Sequence, residues 1–163
     1  MDQEPDVPEV RPPTLEDVRR ICGSLDTAGA RYVLIGGFAV ILRGGERTTK
    51  DIDLLVDPSP ENVDRLKRAL AVLEDGAARE IEPGDLEKYT VVRVADEVLV
   101  DLLAAACGVT WAEARETAEK MDLDGIPVIV ADRLTLIRTK LTLRPSDAAD
   151  RAWLESLGGE DPE

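Results

Sequence analysis

The sequence predicts an α/β (α+β) domain: a mixed β-sheet flanked by helices and closed by a short C-terminal helical pair. Three observations predict it. Apolar runs of strand length alternate with capped helical segments; between 78 and 103 the pattern shifts to short alternating pieces typical of antiparallel neighbours; and neither repeats nor low-complexity stretches break the interior. A chain of 163 residues suffices for one such domain, read here as 14–157, with an acidic, proline-rich disordered tail at 1–13 and a second tail at 158–163.

The first helix spans about 14 to 28, with Thr14 as N-cap, apolar residues at helical spacing from Leu15 to Leu25, and Gly29 as its stop. RYVLIGG reads as a strand and FAVILRGG as a helix of two turns, so Gly36 and Gly37 mark a strand-to-helix turn. KDIDLLVD is the next strand. Ser59 and Pro60 then supply an N-cap and first helical position for a helix ending near Gly76. AREIE, KYTVVRVA and EVLVDLL follow as strands, separated by PGD and DE turns. Thr110 and Glu113 have capping-box spacing for a helix over about 111 to 120, and IPVIV is one more strand. Asp132 caps a helix reaching about 143, Pro145 disfavours its continuation, and Ser146 caps the last helix.

Lys and Arg number 20 against 34 Asp and Glu, a formal charge of −14, which disfavours sequence-blind coating of nucleic acid. The complete absence of histidine removes Ser-His-Asp and Cys-His nucleophiles and every imidazole-ligated zinc site. Chemistry must come from carboxylates, Lys, Arg, hydroxyls or thiols. Cys22 and Cys107 form no CxxC motif and read as small buried apolar side chains, so the expected compartment is the reducing cytoplasm. The longest run without a polar residue, Tyr32 to Leu42, is far short of the roughly 18 residues a membrane span needs, and the N-terminus does not read as a signal peptide.

Asp51 and Asp53 lie two apart in an apolar strand, so both carboxylates point to one face, roughly 6.5 to 7 Å apart along the chain. Desolvating two acids there requires compensation, by solvent at a wet strand end or by a bound cation. Asp101 interrupts a second apolar strand in EVLVDLL. If the two strands are neighbours, three carboxylates converge into an oxygen-rich, histidine-free site suited to Mg²⁺ and to phosphoryl or nucleotidyl transfer, with Asp101 as base. Gly36-Gly37 fits either a plain tight turn or a close backbone approach to phosphate, though the Walker and dinucleotide spacings are absent.

In order along the chain, Gly36-Gly37-Phe38-Ala39, then Arg47-Thr48-Thr49-Lys50-Asp51-Ile52-Asp53, then Asp101, resembles the nucleotidyltransferase superfamily with a polymerase-β-like core. The nearer resemblance is to the bacterial branch that includes the toxin component of type IV toxin–antitoxin systems, with its GG-x-A and R-x-T-x-D-I-D motifs. Lys140, Arg144, Asp147 and Asp150 fall in the order of that branch's K-x-x-x-R, D-x-x-D pattern, so the resemblance covers most of 31–157. It implies a nucleotidyltransferase-like fold, Asp51, Asp53 and Asp101 as ligands of Mg²⁺ or Mn²⁺, and Gly36 and Gly37 against phosphate. It further implies Lys140 at the nucleotide and, in line with it, Arg144. Where many superfamily members carry Ser after the first glycine, this chain has Gly37. The phosphate contact then falls to backbone or to Thr48 or Thr49 beside Arg47.

Charge placement agrees: Arg133 to Arg144 holds four basic residues and no acid, and Leu42 to Lys50 holds three bases and one acid. Asp147 and Asp150 are explained more simply by the dipole of the last helix, and Trp111 and Trp153 as core residues. The expected function is metal-dependent transfer of a nucleoside monophosphate from an NTP to a hydroxyl of an RNA end, a protein or a small molecule, in a toxin with a cognate antitoxin. The alternative is a catalytically silent module of the same fold acting by protein binding.

Overall fold

The computed structural model describes residues 10–158. Of the expected tails, 1–9 and 159–163 lie outside the described residues. Arg11 lies against the domain, its guanidinium donating to both Asp17 carboxylate oxygens at 2.6 and 2.7 Å, while the Thr14–Asp17 pair forms the capping box of α1 (Leu15–Ala28).

After α1 come β1 (Tyr32–Ile35), α2 (Gly36–Leu42), β2 (Asp51–Val56) and α3 (Pro60–Leu70). A 3-10 turn (Ala77–Glu80) and α4 (Asp85–Lys88) lead to β3 (Val91–Ala95) and β4 (Leu99–Leu103). A small ribbon of β5 (Ala105–Ala106) and β6 (Val109–Thr110) precedes α5 (Trp111–Ala114). β7 (Glu119–Leu123), β8 (Ile126–Val130), α6 (Arg133–Thr139) and α7 (Pro145–Gly158) complete the domain. The main sheet has six strands in the order β3-β4-β2-β1-β8-β7 and is mixed, as expected. β2 runs parallel to β4 and β1 to β8, whereas β1–β2, β3–β4 and β7–β8 are antiparallel.

Burial follows the two-residue period of the strands. In β2, Ile52, Leu54 and Val56 point to one face and are fully buried, while Asp51 and Asp53 point to the other and remain partly accessible. The apolar stripe of α1 (Val18, Ile21, Cys22, Leu25) is fully buried, and α1 packs against α3 and β8. Asn62, fully buried at the start of α3, accepts from Arg31 N–H at 2.7 Å and donates to the Arg31 and Asp57 carbonyls, fastening α3 to the strand before it. No helix among the described residues is long and apolar enough to cross a membrane.

Four expected elements differ. The helix opening at Ser59 ends at Leu70 rather than near Gly76, and AREIE holds a 3-10 turn instead of a strand. Asp96 stabilises that region from outside it, its buried carboxylate accepting from the Asp75, Ala77 and Glu97 amides. The helix over 111 to 120 is a single turn followed by β7, which pairs with β8 through the Asp124-Gly125 turn, φ 48° and 90°. A DG pair between strand-forming residues is the sequence signal for that hairpin. Finally, α6 stops at Thr139, not near 143, because the Arg151 guanidinium on α7 takes the carbonyls of Lys140 and Thr142. Cys22 is buried as expected, but Cys107 sits exposed with φ 49° in the β5–β6 turn.

Candidate active site

Parallel pairing of β2 with β4 places Asp53 directly opposite Asp101. With Asp51 two residues along the same face, one carboxylate oxygen from each of the three acids lies within 4.8 Å of the others. The next strand, β1, pairs Ile35 with Asp53, so its continuation Gly36 runs beside that carboxylate. Gly36 has φ 74°, and a Cβ there would collide with Asp53 Oδ2. Both the left-handed backbone and the contact demand glycine. We expect Gly36→Ala to displace Asp53 and abolish the site's function with only a modest fall in melting temperature, checked by activity per folded molecule.

Gly37 answers the missing serine. A Cβ at 37 would stand 2.7 Å from both Cβ and Oγ1 of Thr49, so the Thr49 side chain fills the space that a side chain at 37 would take. Thr49 lines the cleft beside Gly36 and Gly37, whereas Thr48 is exposed and contributes only its carbonyl, to Arg47 Nε. The two threonines are therefore not equivalent. We expect Thr49→Val to weaken anion binding in this cleft several-fold and Thr48→Val to leave it unchanged, measured by isothermal titration with inorganic triphosphate.

The cleft, about 230 Å³, is closed on the far side by Lys140, Arg144 and Asp147, just after α6 and at the start of α7. Lys140 is 4% exposed, and its ammonium lies 2.9 Å from Asp150 and 3.7 Å from Asp147. Arg47 pairs with the same Asp150 oxygen, and Arg144 with Asp147 at 3.1 Å. Asp147 and Asp150 thus form a second, paired acid cluster that ties the last helix to the Arg47 segment, more than the helix-dipole role expected of them. Burial alone would raise the Asp147 carboxyl, but the Thr142 hydroxyl, Arg144 and Lys140 hold it below the ordinary carboxylate value. Arg138 lies apart, exposed and paired with Glu113 at 3.2 Å.

Electrostatics separates the first cluster from the second. Burial raises Asp53 to about 7, with Asp51 and Asp101 adding to the rise and Lys140 opposing it. Asp51 is raised as well, by burial and by Asp101, against Arg93, Arg144 and Arg47. Three converging carboxylates form an all-oxygen donor set, and such a set fits Mg²⁺ or Mn²⁺.

Arg93 is the residue that sequence reasoning missed. It lies directly across the β3–β4 pair from Asp101, with Nε 2.7 Å from Oδ1 and Nη2 2.9 Å from Oδ2, and Nη2 also reaches Asp51 at 3.2 Å. The signal was present in the sequence: a hairpin turning through Asp96-Glu97-Val98 pairs position 93 with position 101.

A mixed sheet presenting three carboxylates from adjacent strands, beside a Gly-Gly strand-to-helix turn, is the architecture of a nucleotidyltransferase. Residues 20–152 match the family described as "Nucleotidyl transferase AbiEii toxin, Type IV TA system", and the chain belongs to that family. It is a nucleotidyltransferase by family and by fold. Among solved structures, it is similar to the crystal structure of a candidate nucleotidyltransferase from Thermotoga maritima, at 16% identity and TM-score 0.56, covering 91% of this chain and 96% of that one. No curated protein gives a significant match.

Proposed function

We propose that this chain transfers a nucleoside monophosphate from an NTP to a hydroxyl acceptor at the acid triad, as the toxin of a type IV pair with a cognate antitoxin. The observation that carries this reading is the convergence of Asp51, Asp53 and Asp101 within 4.8 Å beside Gly36 and Gly37. The three acids would hold Mg²⁺ or Mn²⁺, which when bound polarises the phosphoryl group and offsets the charge of the triphosphate.

The chain's own residues do the rest. Gly36 and Gly37 let the backbone approach the phosphates closely, and Thr49 donates its hydroxyl where many superfamily members have serine. Arg144, three-quarters exposed, and the partly buried Arg47 supply positive charge along the cleft. Lys140, fixed by Asp147 and Asp150, presents its charge toward Asp53 from the closing side. Asp101 accepts the proton of the attacking hydroxyl. That oxygen then bonds to the α-phosphorus, and the bond to the bridging oxygen breaks with its electron pair leaving on pyrophosphate. A second cavity of about 190 Å³, walled by Ile35, Leu103 and Ala106, shares Gly36, Asp53 and Lys140 with the first. Two cavities meeting at Asp53 give two substrates room to meet.

Ligands that bind only the folded chain raise its melting temperature, by about 5–10 °C for a chain this size at a hundredfold excess over Kd. We expect Mg²⁺ with a suitable NTP to give such a shift and either alone to give less. A flat response to all four NTPs at millimolar concentration with Mg²⁺ would favour the catalytically silent alternative.

A further inference from the structure

We propose that Arg93 is the triad's built-in cation: its guanidinium occupies, between Asp51 and Asp101, the charge position that a divalent ion takes, so ion uptake requires Arg93 to let go. This inference rests on the metal-binding reading above. Among the described residues, every ion pair made by Asp51, Asp53 or Asp101 is with Arg93. The other cations of the cleft are committed elsewhere, Lys140 and Arg47 to Asp150 and Arg144 to Asp147.

Geometry sets the two occupancies in competition. The fork of Arg93 takes both oxygens of Asp101 at 2.7 and 2.9 Å and one of Asp51 at 3.2 Å. An ion about 2.1 Å from those same oxygens stands within about 5 Å of the guanidinium nitrogens, where like charges repel strongly. Arg93 has somewhere to go. It lies on the edge strand β3, and its side chain is 51% exposed whereas that of Asp101 is 11% exposed, so the fork can swing into solvent while the acid stays fixed. The opposite role is that of a brace, in which Arg93 orients Asp101 and thereby assists the ion. The two roles predict opposite signs.

The test is a titration of the nucleotide-free full chain with Mn²⁺, reading free Mn²⁺ by electron paramagnetic resonance. Wild type is compared with Arg93→Gln, Arg93→Lys and Asp53→Asn. We expect Arg93→Gln to bind Mn²⁺ at least tenfold more tightly than wild type, Arg93→Lys to fall between them, and Asp53→Asn to lose binding. Without Mn²⁺, Arg93→Gln should melt below wild type, because the triad has lost the cation paired with it; saturating Mn²⁺ should close that gap. If Arg93→Gln bound Mn²⁺ no better than wild type while Asp53→Asn lost it, Arg93 would be a brace and the proposal wrong, with the metal site intact. If neither wild type nor Arg93→Gln took up Mn²⁺, the metal reading and this inference would fall together.

Discussion

Asp53→Asn or Asp51→Asn is expected to lower nucleotidyl transfer by about a thousandfold or more, since on the proposed reading each removes a charge that would hold the metal at the reacting phosphoryl group. Neither change should unfold the chain. Asp53→Asn should even stabilise the metal-free protein in a pH-dependent way, because the native carboxyl titrates at about 7 rather than the ordinary 3.8. Below about pH 4 both folded and unfolded states hold the proton. Between about 4 and 7 only the folded state does, so stability falls as pH rises and the full penalty is present above 7. Asparagine carries no such penalty. The variant should therefore gain on the order of 4 kcal/mol above pH 7 and nothing near pH 4, measured by urea unfolding at both pH values. An equal gain at both would mean that packing, not charge, is responsible.

Lys140→Ala has the largest expected loss of stability. Its ammonium is buried between Asp147 and Asp150, and removing one partner from such a cluster costs about 3–5 kcal/mol, a large share of a typical folding free energy. Arg138→Ala, at an exposed pair, should change stability by less than about 0.5 kcal/mol. Lys140→Met combined with Asp150→Leu removes this pair of charges together and, although it leaves Arg47 without its Asp150 partner, should recover part of the lost stability. Transfer should not recover, because the positive charge beside Asp53 is gone. If the double variant regained activity along with stability, Lys140 would be a scaffold residue alone.

The acids and the glycines were legible because each violates the pattern around it. Asp51, Asp53 and Asp101 interrupt apolar strands, and Gly36-Gly37 interrupts a strand-to-helix transition, so local preference already marks them as sites. Residues whose role depends on pairing across the fold were harder to read. Arg93 looks like an ordinary outward residue of an edge strand until β3 is registered against β4. Lys140 looks like a free helical lysine until Arg151, from the following helix, ends α6 at Thr139 and turns the chain so that the ammonium meets Asp150. The error at 111 to 120 has the same origin. Thr110 does cap a helical turn, but the Asp124-Gly125 turn recruits Glu119–Leu123 to the sheet, and tertiary pairing overrides helix preference.

Nucleotidyl transfer at the acid triad is tested by incubating the chain with Mg²⁺ and each of the four NTPs labelled at the α-phosphate, together with cell RNA and protein, and following both label transfer and pyrophosphate release. Wild type should attach label to one acceptor class with stoichiometric pyrophosphate, and Asp53→Asn should do neither. Absence of transfer and of pyrophosphate with all four NTPs, from a chain shown to be folded, would contradict that assignment.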